Sequence, residues 1–258
     1  MGGVRQDRVR SARIVRERAD VAGVTDVVLV AHGSRDPRSA ATVRAIARAV
    51  AAARPDIIVH DAYLDFDAPH LALVLSQVGP AIVVPLLLSE AYHARTDIPS
   101  IVAAAPGSVE IANILAAPRD GGTALIVSAL GRRLDGLRGR PDGLVLAAAG
   151  TRDALALAAI DDIATALGKA RGVRCVAGYA SGAGRSVSDA ISSLRDRGAR
   201  AIGLASYFLA PGRLHDRALT EAEHSVMGAS VPLGDAAEIV AIVARRIDRA
   251  LNESKALV

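Results

Sequence analysis

Aromatic side chains are scarce. The 258 residues include four Tyr, two Phe and no Trp, so stacking platforms for nucleic-acid bases have little to be built from and no nucleic-acid partner is expected. A single cysteine, Cys175, excludes an internal disulfide and any cysteine-cluster metal site. It falls in an apolar stretch and reads as an inert core thiol. No apolar run approaches the roughly 18 residues of a membrane span, so no membrane association is expected. Only two of the 31 basic residues are Lys. The formal charge of +4 is concentrated at the start, where residues 1–23 hold six Arg against two Asp and one Glu. That segment has no apolar core of a secretory signal. Residues 1–24 therefore read as a flexible Arg-rich tail, and the cytoplasm is the expected compartment.

What is abundant is Ala, Val, Leu and Ile, within a hydrophobic fraction of 51%. Short apolar runs alternate with helix-period segments. Strands are expected at 27–31, 57–64, 81–88 and 109–114, and helices at 37–53, 68–78, from Pro99 onward and at 122–133. A Gly- and Pro-bearing stretch, 135–143, reads as a linker. The series then restarts: residues 145–153 align with 28–36 at a constant offset of 117, so that Gly-Thr-Arg-Asp153 repeats Gly-Ser-Arg-Asp36. Helices at 153–168, 186–197, 217–227 and 235–252 and strands at 173–179, 200–205 and 230–233 complete the second unit. The expected fold is α/β: two tandem similar lobes, 25–134 and 144–258, each a four-stranded parallel sheet with helices on both faces and a ligand cleft between them.

Parallel sheets gather their ligands at the carboxyl ends of their strands. In the first lobe His32 follows the first strand, Asp65 the second, and His93 lies in the loop after the third. Two imidazoles and a carboxylate suit a divalent first-row metal, and imidazole near its own pKa can take protons from a substrate. Taken singly, each is as readily a loop or capping residue, and Asp67 and Glu90 compete with Asp65 as the carboxylate. In the second lobe Ala149 replaces His32. His215 aligns with His93 if one residue is inserted, and either faces the cleft or pairs with Asp216. One site per chain follows. His60, His70 and His224 read as structural residues without partners. Gly33-Ser34 opens a helix, but no P-loop or dinucleotide fingerprint accompanies it, and a hydrolase built on Ser34 lacks a base and acid in register.

Leu29-Val-Ala-His-Gly-Ser-Arg-Asp-Pro37, together with Val84-Pro-Leu-Leu-Leu88, Tyr92-His93 and Asp97-Ile-Pro99, closely resembles the sirohydrochlorin chelatase family. The resemblance runs from residue 25 to about 250 and matches the long form made by fusing two copies of a short ancestor. It implies ATP-independent insertion of ferrous iron or cobalt into sirohydrochlorin, with no organic cofactor. His32 and His93 would be the metal-binding and catalytic histidines, with Asp65 standing where relatives often carry Glu. An octacarboxylate macrocycle calls for cationic groups, which makes Arg35, Arg38, Arg95 and Arg213 candidates for substrate contact beside Ser34, Glu90 and His215. A monomer would suffice, although a homodimer is compatible. A carrier that holds tetrapyrrole or metal in the same cleft without accelerating insertion is the rival reading.

Overall fold

Val27, Val28, Leu29 and Val30 are completely buried, because strand β1 (Thr25–Ala31) lies inside a sheet covered on both faces. Its residues alternate between two cores. Val27, Leu29 and Ala31 join a central cluster shared by both halves of the chain, and Val28 and Val30 join an outer one. The computed structural model describes residues 24–89, 93–117 and 121–256, and for His93, Ala94 and residues 254–256 it describes the backbone. The Arg-rich segment up to residue 23, Glu90 and Tyr92 lie outside the described residues.

After β1 come α1 (Pro37–Ala53), β2 (Ile57–Tyr63), α2 (Leu71–Leu75), β3 (Ala81–Pro85), a π-helical turn (His93–Asp97), α3 (Ile98–Ala103), β4 (Val109–Ile111) and α4 (Gly122–Leu134). The second half runs β5 (Gly143–Ala148), α5 (Ala154–Arg171), β6 (Arg174–Tyr179), α6 (Val187–Arg195), β7 (Ile202–Tyr207), α7 (Arg213–Ala222), β8 (Gly228–Ala229) and α8 (Ala237–Ala256). The sheets are ordered β2-β1-β3-β4 and β6-β5-β7-β8, with every strand pair parallel.

The duplication extends to individual hydrogen bonds. Asp36 caps α1 and Asp153 caps α5. Ser34 Oγ accepts from the Asp36 amide at 3.1 Å, and Thr151 Oγ1 accepts from the Asp153 amide at 3.1 Å. The Tyr63 hydroxyl lies 3.5 Å from the Ala40 carbonyl, and that of Tyr179 lies 3.4 Å from the Leu157 carbonyl.

The two halves exchange their last helices. α8, at the chain's end, packs on α1 and β3 of the first half, while α4 packs on α5 and β7 of the second. Ile239, Val243 and Ile247 of α8 and Ile126 and Leu130 of α4 are fully buried in the central core. This core is therefore a helical layer between two sheets, and it holds the lobes together. Among the described residues no helix is long and apolar enough to cross a membrane.

Several elements differ from the sequence expectation. The second helix is confined to Leu71–Leu75, because the preceding residues stay against the sheet, where Pro69 O accepts from the Tyr63 amide at 3.0 Å. β4 ends at Ile111 rather than 114. The Ile114, Leu115 and Ala117 carbonyls beyond it accept instead from Arg246, which is buried in α8. The eighth strand is two residues, Gly228–Ala229, rather than 230–233; Ser230 O is taken by the Ser206 hydroxyl, and Pro232 has no amide to offer a ladder. His60 and His70 do have partners: His60 Nε2 lies 2.7 Å from Asp26 Oδ1, and His70 caps α2 and bonds Leu64 O at 2.7 Å. Cys175 is largely buried, and burial pushes its thiol up to about 12, as suits an inert group.

Candidate active site

The carboxyl edge of the first sheet is organised by Gly33. Its φ is +93°, and a Cβ there would lie 1.7 Å from the Asp65 carbonyl oxygen, so only glycine lets the β1 and β2 exits touch. The exits continue the sheet's pairing: Leu64 N donates to Ala31 O at 3.0 Å and Asp65 N to His32 O at 2.9 Å. His32 and Asp65 are thereby held side by side.

A cavity of about 260 Å³ opens at this edge, lined by His32, Leu64, Asp65, Asp97, Ser100 and Ile101. His32 is half-buried and Asp65 exposed. Asp65 Oδ1 accepts from the Phe66 amide at 3.0 Å, which uses one of the carboxylate's several acceptor positions. Asp67, a rival carboxylate, is occupied by the amide of Ser34 at 2.8 Å. His93 opens the π-helical turn whose last residue, Asp97, lines the cavity. That turn leads the backbone from His93 to the cavity lining at Asp97. Sequence reasoning passed over Asp97, Ser100 and Ile101. Asp97 stood within the quoted motif, and its position just before a helix was the available signal.

The cationic candidates divide. Arg35 is exposed beside the site, with its guanidinium 5.1 Å over the ring of Phe66, and Arg213 is exposed in the first turn of α7. Arg38 and Arg95 instead make ion pairs between the lobes. Arg38 joins Asp36 at 2.5 Å and also Asp216 of α7, and Arg95 reaches Asp153 at 2.9 Å. Ser34 lies close to the second lobe, 3.9 Å from the position a Gly212 Cβ would take. The described cavity is lined from the first lobe alone, and the pairs of Arg38 and Arg95 bind the lobes beside it.

Of the two expected roles, His215 takes the one beside Asp216, with no place in the cavity lining. It is buried in α7, edge-on to Phe208 at 5.2 Å, with Nε2 3.2 Å from Ser206 Oγ. Since that hydroxyl donates to Ser230 O at 2.6 Å, it accepts from the imidazole. Nδ1 is 3.7 Å from Asp216 Oδ1, an ion-pair distance longer than an ordinary hydrogen bond. His215 packs the second lobe and does not line the cavity. Where the first lobe has His32 and Asp65, the second has Ala149 and Ser181, with Gly150 meeting the Ser181 carbonyl as Gly33 meets that of Asp65. Among the described residues no group of three His, Cys, Asp or Glu side chains stands ready to enclose a metal.

These features define a duplicated four-stranded α/β protein with a histidine-bearing cavity at one lobe's sheet edge. The family model for CbiX matches residues 26–137 and again 143–250, and the chain belongs to the CbiX family. Among solved structures, SirB from Bacillus subtilis with Fe3+ aligns with 90% of this chain and 98% of its own, at a TM-score of 0.73 and 20% identity. SirB from Bacillus subtilis subspecies spizizenii in complex with cobalt covers 90% and 97% at 0.67 and 18%. CbiX, the terminal enzyme for biosynthesis of siroheme in denitrifying bacteria, covers 87% and 99% at 0.64 and 24%. These likenesses establish the fold, two-lobed chelatase-like α/β. No curated protein sequence matches the chain.

Proposed function

We propose that the protein is a sirohydrochlorin chelatase that inserts a divalent metal, ferrous iron or cobalt, into the macrocycle without ATP. The observation that carries this reading is the shared edge: His32 and Asp65 line one cavity together with Asp97, the last residue of the turn that starts at His93. Membership of the CbiX family supports it, as do relatives of the same fold described with iron and with cobalt.

Metal insertion exchanges two pyrrole N–H protons for one M²⁺, and the ion must shed water as it enters. His32 and His93 supply nitrogen ligands of intermediate softness that suit both metals. An imidazole of the pair accepts a pyrrole proton, and Asp65, exposed beside it, passes protons to water. Asp97, also in the cavity lining, adds negative charge that favours the incoming cation. Arg35 and Arg213 are the cations open to the macrocycle's carboxylates. One chain holds both lobes, so a monomer suffices, and the cytoplasm is the compartment this reading assumes.

The test is anaerobic mixing of metal-free sirohydrochlorin with Fe²⁺ or Co²⁺, with and without protein, followed by the absorption change of the macrocycle. Insertion faster than the spontaneous reaction is the expected result. A rate equal to the spontaneous one, with the macrocycle still bound, makes the protein a carrier and overturns the proposal.

A further inference from the structure

Phe66 stands beside the cavity with 53% of its surface exposed, whereas the other phenylalanine, Phe208, is buried. Its backbone is left-handed, with φ of +62°, a conformation that bulky side chains avoid. The duplicate lobe shows what the fold asks for at this place. After Ser181, the counterpart of Asp65, comes Gly182 with φ of +82°. The first lobe therefore carries an aromatic side chain where the backbone favours glycine, and burial does not explain it.

The surroundings of the ring point to a ligand. Its centroid is 6.1 Å from that of His32, and the two planes are within 20° of parallel. The Arg35 guanidinium lies 5.1 Å over the Phe66 ring. An imidazole nitrogen reaches a metal through a lone pair in the ring plane, so a flat guest that meets the lone pair squarely stands perpendicular to the His32 ring. Such a guest also meets Phe66 edge-on. Edge-to-face contact is favourable because the rim of an aromatic ring is positive and the face of a conjugated system is negative.

We propose that Phe66 is a binding residue that makes edge-to-face contact with the conjugated face of the macrocycle and seats it over His32, while Arg35 pairs with one of its carboxylates. This rests on the chelatase reading and adds to it a residue that recognises the flat conjugated face of the substrate. Because Phe66 is so exposed, its removal opens no core cavity, and glycine suits the left-handed backbone.

Metal-free sirohydrochlorin titrated with wild-type protein, Phe66→Gly, Phe66→Leu and Phe66→Tyr tests it. The readouts are the anisotropy of the macrocycle's own fluorescence, the shift of its absorption band and the thermal midpoint of each protein. Phe66→Gly is expected to bind about tenfold more weakly and to lose the band shift, with a thermal midpoint no lower than wild type. Phe66→Leu, which keeps apolar bulk without a ring, should weaken binding likewise, and Phe66→Tyr should retain affinity and band shift. Wild-type affinity in the Gly variant, or in the Leu variant if Gly does not fold, overturns the role of Phe66 while leaving the chelatase reading standing. Failure of the wild-type protein itself to bind the macrocycle overturns that reading and the inference together.

Discussion

Arg95 Nη1 donates to Asp153 Oδ2 at 2.9 Å across the lobes, and the same aspartate caps α5 through the amides of Leu155 and Ala156. One carboxylate thus serves as a local helix cap and an interlobe contact. Exposed ion pairs contribute little to stability, whereas a cap is felt directly. Asp153→Asn, which keeps the capping oxygen, should leave the urea midpoint at neutral pH close to wild type, and Asp153→Ala should lower it. The Ala156 amide holds the Asp153 carboxyl below its ordinary value of 3.8, with the Leu155 amide and Arg95 adding to the effect. That contribution is present above about pH 3.8 and is lost as pH falls through the lower folded value. Urea midpoints recorded from about pH 5 down to about pH 2 should fall less steeply for Asp153→Asn than for wild type.

His215 predicts a second pH dependence. Burial holds its imidazole below 6.5, against the opposing pull of Asp216. The unfolded chain takes up this proton more readily than the folded protein, so stability is full above about pH 6.5 and declines as pH falls through the folded value. His215→Gln, which does not titrate, should flatten the decline. His215→Ala should cost about 2 kcal/mol at pH 8 by removing a buried hydrogen bond and leaving a void. Chemical denaturation from about pH 8 to about pH 5 measures both.

Gly33 and Gly150 form a matched pair of tests. A Cβ on either would collide with a carbonyl oxygen, at 1.7 Å and 1.8 Å respectively, at φ of +93° and +89°. Either Gly→Ala substitution should cost about 3 kcal/mol or more. Only Gly33→Ala displaces Asp65 from His32, so metal insertion per folded molecule should fall for that variant and persist in Gly150→Ala. Urea melts paired with insertion assays on the folded fraction distinguish the two.

Arg246, buried in α8, gives its guanidinium to the carbonyls of Ile114, Leu115 and Ala117 in the other half of the chain. Arg246→Met should lose about 3 kcal/mol or more, because several buried carbonyls are left unsatisfied together. Arg246→Lys should restore little, since a single ammonium cannot reproduce a planar fork. Equilibrium unfolding of the two variants is the check.

Most of the strands, though not all of their ends, were visible in the chain because buried parallel strands are near-continuous apolar runs, and the duplication because Gly-Ser-Arg-Asp36 recurs as Gly-Thr-Arg-Asp153. The exchange of α4 and α8 was not. An amphipathic helix shows that it has an apolar face but not which sheet covers it. The early end of β4 depends on Arg246, 132 residues away from Ile114, a separation no local pattern conveys. His32 and Asp65 were found because each follows a strand. Asp97 reaches the cavity from a π-helical turn that periodicity does not signal, and Phe66 passed as one apolar residue among polar loop neighbours. Arg38 and Arg95 have the right charge for a carboxylate-rich substrate, but Asp216 and Asp153 meet them first.

The most direct test of the account is the single-turnover rate of Co²⁺ insertion into sirohydrochlorin by wild type and by His32→Ala, each saturated with macrocycle. The account predicts a loss of about a hundredfold or more, with a bound macrocycle and an unaltered thermal midpoint. A His32→Ala rate within about twofold of wild type, far smaller than the loss expected of a displaced proton acceptor and ligand, would contradict it.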